Sequence, residues 1–180
     1  MNDIEYLKQT IKSIPDFPIK GVLFRDITSL CEDAKGFNLL CELMAKPYKE
    51  MKITKVAATE ARGFVFGAAI AHILNCGFVL VRKPKKLPRE VYSVDYALEY
   101  GTNTLEIHKD AINENDNVLI VDDLIATGGT IDATIELVKK CGGKVKGISF
   151  AISLPDLGGV KLLEDKYKVK VSSVLEFPGH

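Results

Sequence analysis

The sequence predicts an α/β fold: a central parallel sheet with helices on both faces. Three observations carry that prediction. Short apolar runs bounded by turn residues alternate with segments of helical period from about residue 56 to residue 153. The run Val118-Leu119-Ile120-Val121 passes through two acids and a glycine-rich turn into an amphipathic stretch bearing Ile131, Ile135, Leu137 and Val138. The long apolar stretch from Gly63 to Val81 is broken by Asn75-Cys76-Gly77, which is a helix stop followed by a buried strand.

Taken in order, residues 3–14 place Ile4, Leu7, Ile11 and Ile14 on one helical face. A loop with two prolines follows, from Pro15 to Gly21, and residues 36–50 form a second amphipathic helix. Val56–Thr59 reads as a strand, Phe64–Leu74 as a helix and Phe78–Arg82 as a strand. Asn117–Asp122 is a strand, Thr130–Lys140 a helix ended by Gly142-Gly143, and Lys144–Ser153 a strand. In such a sheet ligands bind beyond the carboxyl ends of the strands. Both Asp122-Asp123 and Thr59-Glu60-Ala61-Arg62-Gly63 lie at such ends. Residues 83–103 interrupt the alternation with a long polar stretch, from Lys83-Pro84-Lys85-Lys86 to Leu98-Glu99-Tyr100-Gly101. A stretch of that kind is a functional lid or a solvated hairpin.

Composition sets outer limits. The chain has 180 residues, 47% hydrophobic and 27% charged, enough for one domain with a substantial core. Its net charge is zero, which gives no sign of a general nucleic-acid binder or a membrane-surface protein. Gly63–Val81 approaches the length of a membrane span, but its internal helix stop argues for a helix plus a covered strand. The polar, acidic N-terminus does not resemble a signal peptide. Four separated cysteines (Cys31, Cys41, Cys76, Cys141) read as reduced thiols, and His72, His108 and His180 have no zinc-type spacing.

The chemistry concentrates at Val118–Thr130. A glycine- and hydroxyl-rich turn that opens a helix offers backbone N–H groups and the positive end of a helix dipole to an anion. Asp122 and Asp123 cannot hold a phosphate, because like charges repel, but they can accept hydrogen bonds from sugar hydroxyls. A ribose with a 5′-phosphate satisfies both halves. The basic run beginning at Arg82 supplies local charge suited to a diphosphate. The sequence lacks G-x-G-x-x-G and G-x-x-x-x-G-K-[ST], which disfavours dinucleotide and P-loop folds.

This stretch resembles the phosphoribosyl-diphosphate (PRPP) signature of the type I phosphoribosyltransferases. The resemblance implies that Asp122 and Asp123 contact the ribose 2′- and 3′-hydroxyls, and that Ala126, Thr127, Gly128, Gly129 and Thr130 wrap the 5′-phosphate. Three more segments resemble the adenine-specific, bacterial-type branch. Phe17-Pro18-Ile19-Lys20-Gly21-Val22-Leu23-Phe24-Arg25-Asp26-Ile27-Thr28 is similar to its base-binding segment, Thr59–Phe64 to its diphosphate loop, and Leu98–Gly101 to its lid motif. The likeness runs from about Tyr6 to the carboxyl terminus, with little specific signal over 156–170.

For the whole chain the resemblance implies a single domain, with a base-binding hood over 1–35 and a mobile lid over 83–103. It implies purine salvage in the cytoplasm: adenine and PRPP give AMP and diphosphate, with magnesium held mainly by PRPP oxygens and water. Arg62, Arg82, Lys83 and Lys86 would face the diphosphate, and Glu99 would stabilise a proton at adenine N7 when the lid closes. The backbone around Leu23 and Arg25 would match the adenine edge while Phe24 stacks on the ring. A non-proline cis peptide is implied between Glu60 and Ala61, and a homodimer through the Gly63–Val81 helix–strand unit, with no nucleic-acid or membrane partner.

Residue type alone leaves other options open. Phe24 also suits a core, Arg25 and Asp26 also suit a structural pair, and Glu99 also suits a surface loop. A transferase for another base, such as hypoxanthine, guanine, xanthine or orotate, would share the PRPP motif. So would a regulatory protein that binds PRPP as an effector, but it should add a DNA-binding segment or a basic RNA-binding face, and neither is evident.

Overall fold

The computed structural model describes residues 1–98 and 100–179. Its first helix, α1 (Asp3–Thr10), is shorter than the apolar spacing predicts. Asn2 caps it, accepting from the Glu5 amide at 2.8 Å. Pro15 biases Ile14 toward extended backbone, and Lys12–Pro15 instead forms β1, antiparallel to β2 (Leu23–Asp26). Ile11 is still buried, at the start of this ribbon rather than on a helix.

Asp26 caps the short α2 (Ile27–Cys31), and Asp33 caps α3 (Ala34–Ala45). The helix expected to reach residue 50 stops earlier because Pro47 cannot continue it, and a 3-10 turn over Lys46–Tyr48 replaces its last part. Next come β3 (Lys55–Thr59), α4 (Arg62–Leu74) and β4 (Gly77–Val81). Asn75, with φ 54°, closes α4 in the left-handed conformation, as the Asn-Cys-Gly stop predicts. No helix among the described residues is long and apolar enough to cross a membrane.

An antiparallel hairpin begins inside the 83–103 segment and runs past it to His108. Its strands are β5 (Val91–Ala97) and β6 (Thr102–His108), in register from Val91 opposite His108 to Ala97 opposite Thr102. The inward positions of β5 are spaced two apart, at Tyr92, Val94 and Tyr96, and pack on the core. β7 (Asn117–Ile125), α5 (Gly129–Lys140), β8 (Lys144–Ser153), α6 (Gly159–Tyr167) and β9 (Lys170–Glu176) complete the chain.

The sheet has the order β4-β3-β7-β8-β9, and every neighbouring pair is parallel. One core fills the face under α1 to α4, around Leu7, Leu40, Met44, Phe66 and Leu119. The other fills the face under α5, α6 and the hairpin, around Leu105, Ile107, Ile120, Leu137, Phe150 and Leu163. Helices on both faces explain why the central strands read as unbroken apolar runs.

Candidate active site

From β3 the chain steps outward to β4, whereas β7 leads to β8 and β9 on the other side, so the winding direction switches between β3 and β7. In an open α/β sheet that point leaves a crevice beyond the carboxyl ends of the strands. Two cavities lie there, of about 410 and 450 Å3. They share Tyr96, Asp122, Leu124 and Thr130 as a common wall, so they are two halves of one cleft.

The first half is lined by Ala126, Thr127, Gly128, Gly129 and Thr130, so the structure brings together the whole glycine-rich loop. Gly128 has φ 92°, which a side chain would strain, and it caps α5 without any side-chain hydrogen bond. Among the described residues no side chain accepts from the first-turn N–H groups of α5, as an anion site at a helix N-terminus requires. Gly159, at the start of α6, backs the loop and donates its amide to Ala126 O at 3.0 Å. A Cβ there would lie 2.4 Å from the same oxygen.

The acids lie in the last part of β7 rather than at its tip, since the strand runs on to Ile125. Asp123 is 7% exposed and its carboxylate meets Arg62 Nε at 2.8 Å. Asp122 accepts from the Asp123 amide at 2.8 Å. Burial, then the adjacent Asp123 charge, pushes the Asp122 carboxyl well above the usual carboxylate range. Gly63 is needed at this point, because a Cβ would come within 2.9 Å of Asp122 Oδ1.

The second half is lined by Glu60, Ala61, Arg62, Gly63 and Lys83 beside both acids. The Glu60–Ala61 peptide is cis, as the resemblance implies. Arg82 and Lys86 do not line this half themselves; both are paired with Glu60, which does, at 3.2 and 2.7 Å. Burial alone would raise the Glu60 carboxyl; hydrogen bonds from Lys86 and the Lys83 amide, with the Lys86 and Arg82 charges, outweigh it and hold the carboxyl low. The side chain of Glu60 was not singled out by the sequence reading, although it stands inside the diphosphate-loop motif.

The β1–β2 ribbon carries the base-binding candidates. Phe24 is half-buried and lies outside both cores. Its ring meets Phe17 edge-on at 5.1 Å, and the Arg62 guanidinium lies 5.9 Å away. Leu23 is 38% exposed. Arg25 donates to Ser13 Oγ at 2.6 Å and lies over the Phe177 ring, while Asp26 caps α2, so these two do not form the structural pair that residue type allowed. Because β2 has a strand on one side only, alternate backbone groups face away from the ribbon. Glu99 lies outside the described residues, between Leu98 on the cavity wall and the exposed Tyr100.

Among the described residues no group of three or more His, Cys, Asp or Glu side chains is placed to hold a metal ion. Two adjacent carboxylates, one engaged by Arg62, suit an ion that arrives coordinated by phosphate oxygens and water rather than one held in a protein cage. The four cysteines are free thiols; Cys41 is buried, and burial pushes its thiol up to about 12.

Residues 32–179 match the family described as "Phosphoribosyl transferase domain". The adenine phosphoribosyltransferase of Actinobacillus pleuropneumoniae serotype 5b is 56% identical over 180 residues, which is all of both chains. That of Salmonella heidelberg is 58% identical over 177 residues, 98% of this chain and 96% of its own. Among solved structures, the adenine phosphoribosyltransferase of Thermoanaerobacter pseudethanolicus superposes with a TM-score of 0.91 at 50% identity, covering 97% of this chain and 99% of that one. The Saccharomyces cerevisiae enzyme, solved with adenine and an iminoaltritol bisphosphate, gives a TM-score of 0.88 at 36% identity, covering 96% and 98%. The chain therefore belongs to the adenine phosphoribosyltransferase family.

Proposed function

We infer that this cleft transfers the 5-phosphoribosyl group of PRPP to adenine, forming AMP and releasing diphosphate. The observation that carries the assignment is the cleft's division: a half lined by the glycine-rich loop and a half lined by Arg62 and Lys83 meet at Asp122, beside the buried Asp123. PRPP has the same order of groups, with a 5′-phosphate at one end, hydroxyls in the middle and a diphosphate at the other.

In this assignment Ala126 to Thr130 hold the 5′-phosphate through backbone N–H groups and the α5 dipole. Asp122 and Asp123 accept from the ribose hydroxyls. Arg62, Arg82, Lys83 and Lys86 neutralise the diphosphate; magnesium, carried mainly by the ligand and water, would supply further charge for the leaving group. N9 of adenine attacks C1′; the C1′–O bond breaks and its electron pair leaves with the diphosphate. The base reacts with its single ring proton on N7 rather than N9, which frees the N9 lone pair; Glu99 stabilises the N7-protonated base during the transfer and takes that proton as AMP forms. Phe24 stacks on adenine while the free edge of β2 at Leu23 and Arg25 pairs with N1 and the N6 amino group. The hairpin tip closes over the cleft as a lid and excludes water.

The chain acts in the cytoplasm as a homodimer. Val65 and Leu80, on the α4–β4 unit, are 44% and 38% exposed, and a two-fold contact there would cover both and steady the neighbouring Arg62 and Arg82. Light scattering at micromolar protein tests this; a fully active monomer contradicts it. For the reaction, protein mixed with PRPP, magnesium and adenine should yield AMP and diphosphate in equal amounts. Diphosphate release without AMP would reduce the cleft to a PRPP-hydrolysing site, and no turnover would leave only PRPP binding.

A further inference from the structure

Glu60 stands on the loop between β3 and α4, and its carboxylate gathers three donors from the segment after β4. Oε1 accepts from the Lys83 amide at 2.9 Å and from Arg82 Nε at 3.2 Å, and Oε2 accepts from Lys86 Nζ at 2.7 Å. The acid lies innermost: its side chain is 10% exposed, against 31% for Arg82 and 44% for Lys86. Arg82 is held through Nε, and among the described residues no hydrogen bond engages its two Nη groups. Phe64 fixes the guanidinium from another side, at 5.9 Å. Lys83 is held by its backbone, which leaves its side chain on the cavity wall.

We propose that Glu60 is a positioning residue for the diphosphate: from the cavity wall it fixes Arg82, Lys86 and the Lys83 backbone, so that their remaining donors are held ready for the ligand. This rests on assigning that half of the cleft to the diphosphate. An acid beside an anion site ordinarily repels the ligand. Here its oxygens are taken up by the Lys83 amide, Arg82 and Lys86, and the two side-chain charges outweigh its own. Without it, the Arg82 and Lys86 side chains and the Lys83 backbone must be ordered when the ligand binds, and that entropy falls on the binding step.

The test is steady-state kinetics of Glu60→Gln and Glu60→Asp, with diphosphate as inhibitor against PRPP. Glu60→Gln keeps the shape and removes the charge. Its KM for PRPP and its diphosphate inhibition constant should each rise about fivefold or more, while KM for adenine stays close to that of the unaltered protein. Glu60→Asp, which keeps the charge, should show a smaller rise in both. An unchanged or tighter diphosphate constant in Glu60→Gln overturns the proposal, as does an equal loss toward adenine, which would mark a structural role. If Glu60→Gln does not fold, Glu60→Asp decides: a diphosphate constant equal to that of the unaltered protein overturns the proposal. If diphosphate fails to compete with PRPP in the unaltered protein, the site assignment itself falls, whereas normal competition there with no change in the variants removes only the role of Glu60.

Discussion

Two glycines beside the loop assigned to the 5′-phosphate separate folding from binding. At Gly159 an added Cβ would lie 2.4 Å from Ala126 O, and 3.0 Å from both Ile125 Cγ1 and the Thr127 carbonyl carbon. Ordinary contact begins near 3.4 Å, so the loop and α6 must part by about 1 Å, and two of the three atoms are backbone that cannot rotate away. Overpacking of this kind costs about 1–3 kcal/mol, and each kcal/mol lowers Tm by about 2–4 °C in a chain of this size. Displacing a binding loop by about 1 Å can also cost on the order of a hundredfold in rate. At Gly129 an added Cβ meets nothing within 4 Å, and the residue opens α5. Alanine there fits the protein, and reduced freedom of the unfolded chain adds about 0.4–1 kcal/mol of stability. Its methyl group, however, enters the space assigned to the 5′-phosphate. Gly159→Ala should therefore lose both Tm and PRPP affinity. Gly129→Ala should keep or raise Tm while KM for PRPP climbs by on the order of tenfold or more, about 1.4 kcal/mol. Thermal melts and PRPP titrations of both variants check this. Wild-type PRPP kinetics in Gly129→Ala would refute the assignment of the loop, and an unaltered Tm in Gly159→Ala would refute the packing argument.

Three further outcomes are expected. Because the folded Asp122 carboxyl lies above its unfolded value, it costs stability progressively as pH rises from about 4 through the folded value, and the loss is then constant. Asp122→Asn should thus melt like wild type near pH 4 and higher than wild type at pH 8, as melts across that range would reveal; equal melting at pH 8 would count against it. Glu99→Gln should lower kcat by on the order of tenfold to a thousandfold with little change in PRPP binding, and unchanged kcat would remove Glu99 from the chemistry. Leu98 and Tyr100, 45% and 87% exposed, should be cut by a chymotrypsin-type protease in free protein and shielded by PRPP with magnesium; identical digestion in both conditions speaks against a lid.

The sheet, its crossover helices and the anion loop were legible because each rests on local pattern. Val118–Val121 is apolar because both faces of β7 are covered, and Gly128 is glycine because the chain turns left-handed there, just before α5 opens. The N-terminal ribbon was not legible: Ile11 and Ile14 have helical spacing, and only Pro15 hints that the backbone leaves the helix. The hairpin was masked by its charged outward positions, although the two-residue spacing of Tyr92, Val94 and Tyr96 was a signal that could have found it. Gly159 had no local signature, because what requires glycine there is the backbone of a loop 33 residues earlier in the chain, at Ala126. Glu60 was hidden for the same reason, since its partners come from the segment after the next strand.

Base choice tests the central claim most directly. The backbone edge at Leu23 and Arg25 is assigned to a ring acceptor beside an amino donor. Hypoxanthine presents a ring N–H beside an oxo group and would leave both backbone groups unpaired, at about 1–3 kcal/mol each. With PRPP and magnesium, kcat/KM should favour adenine over hypoxanthine by on the order of thirtyfold or more. Equal turnover of the two bases would contradict the account.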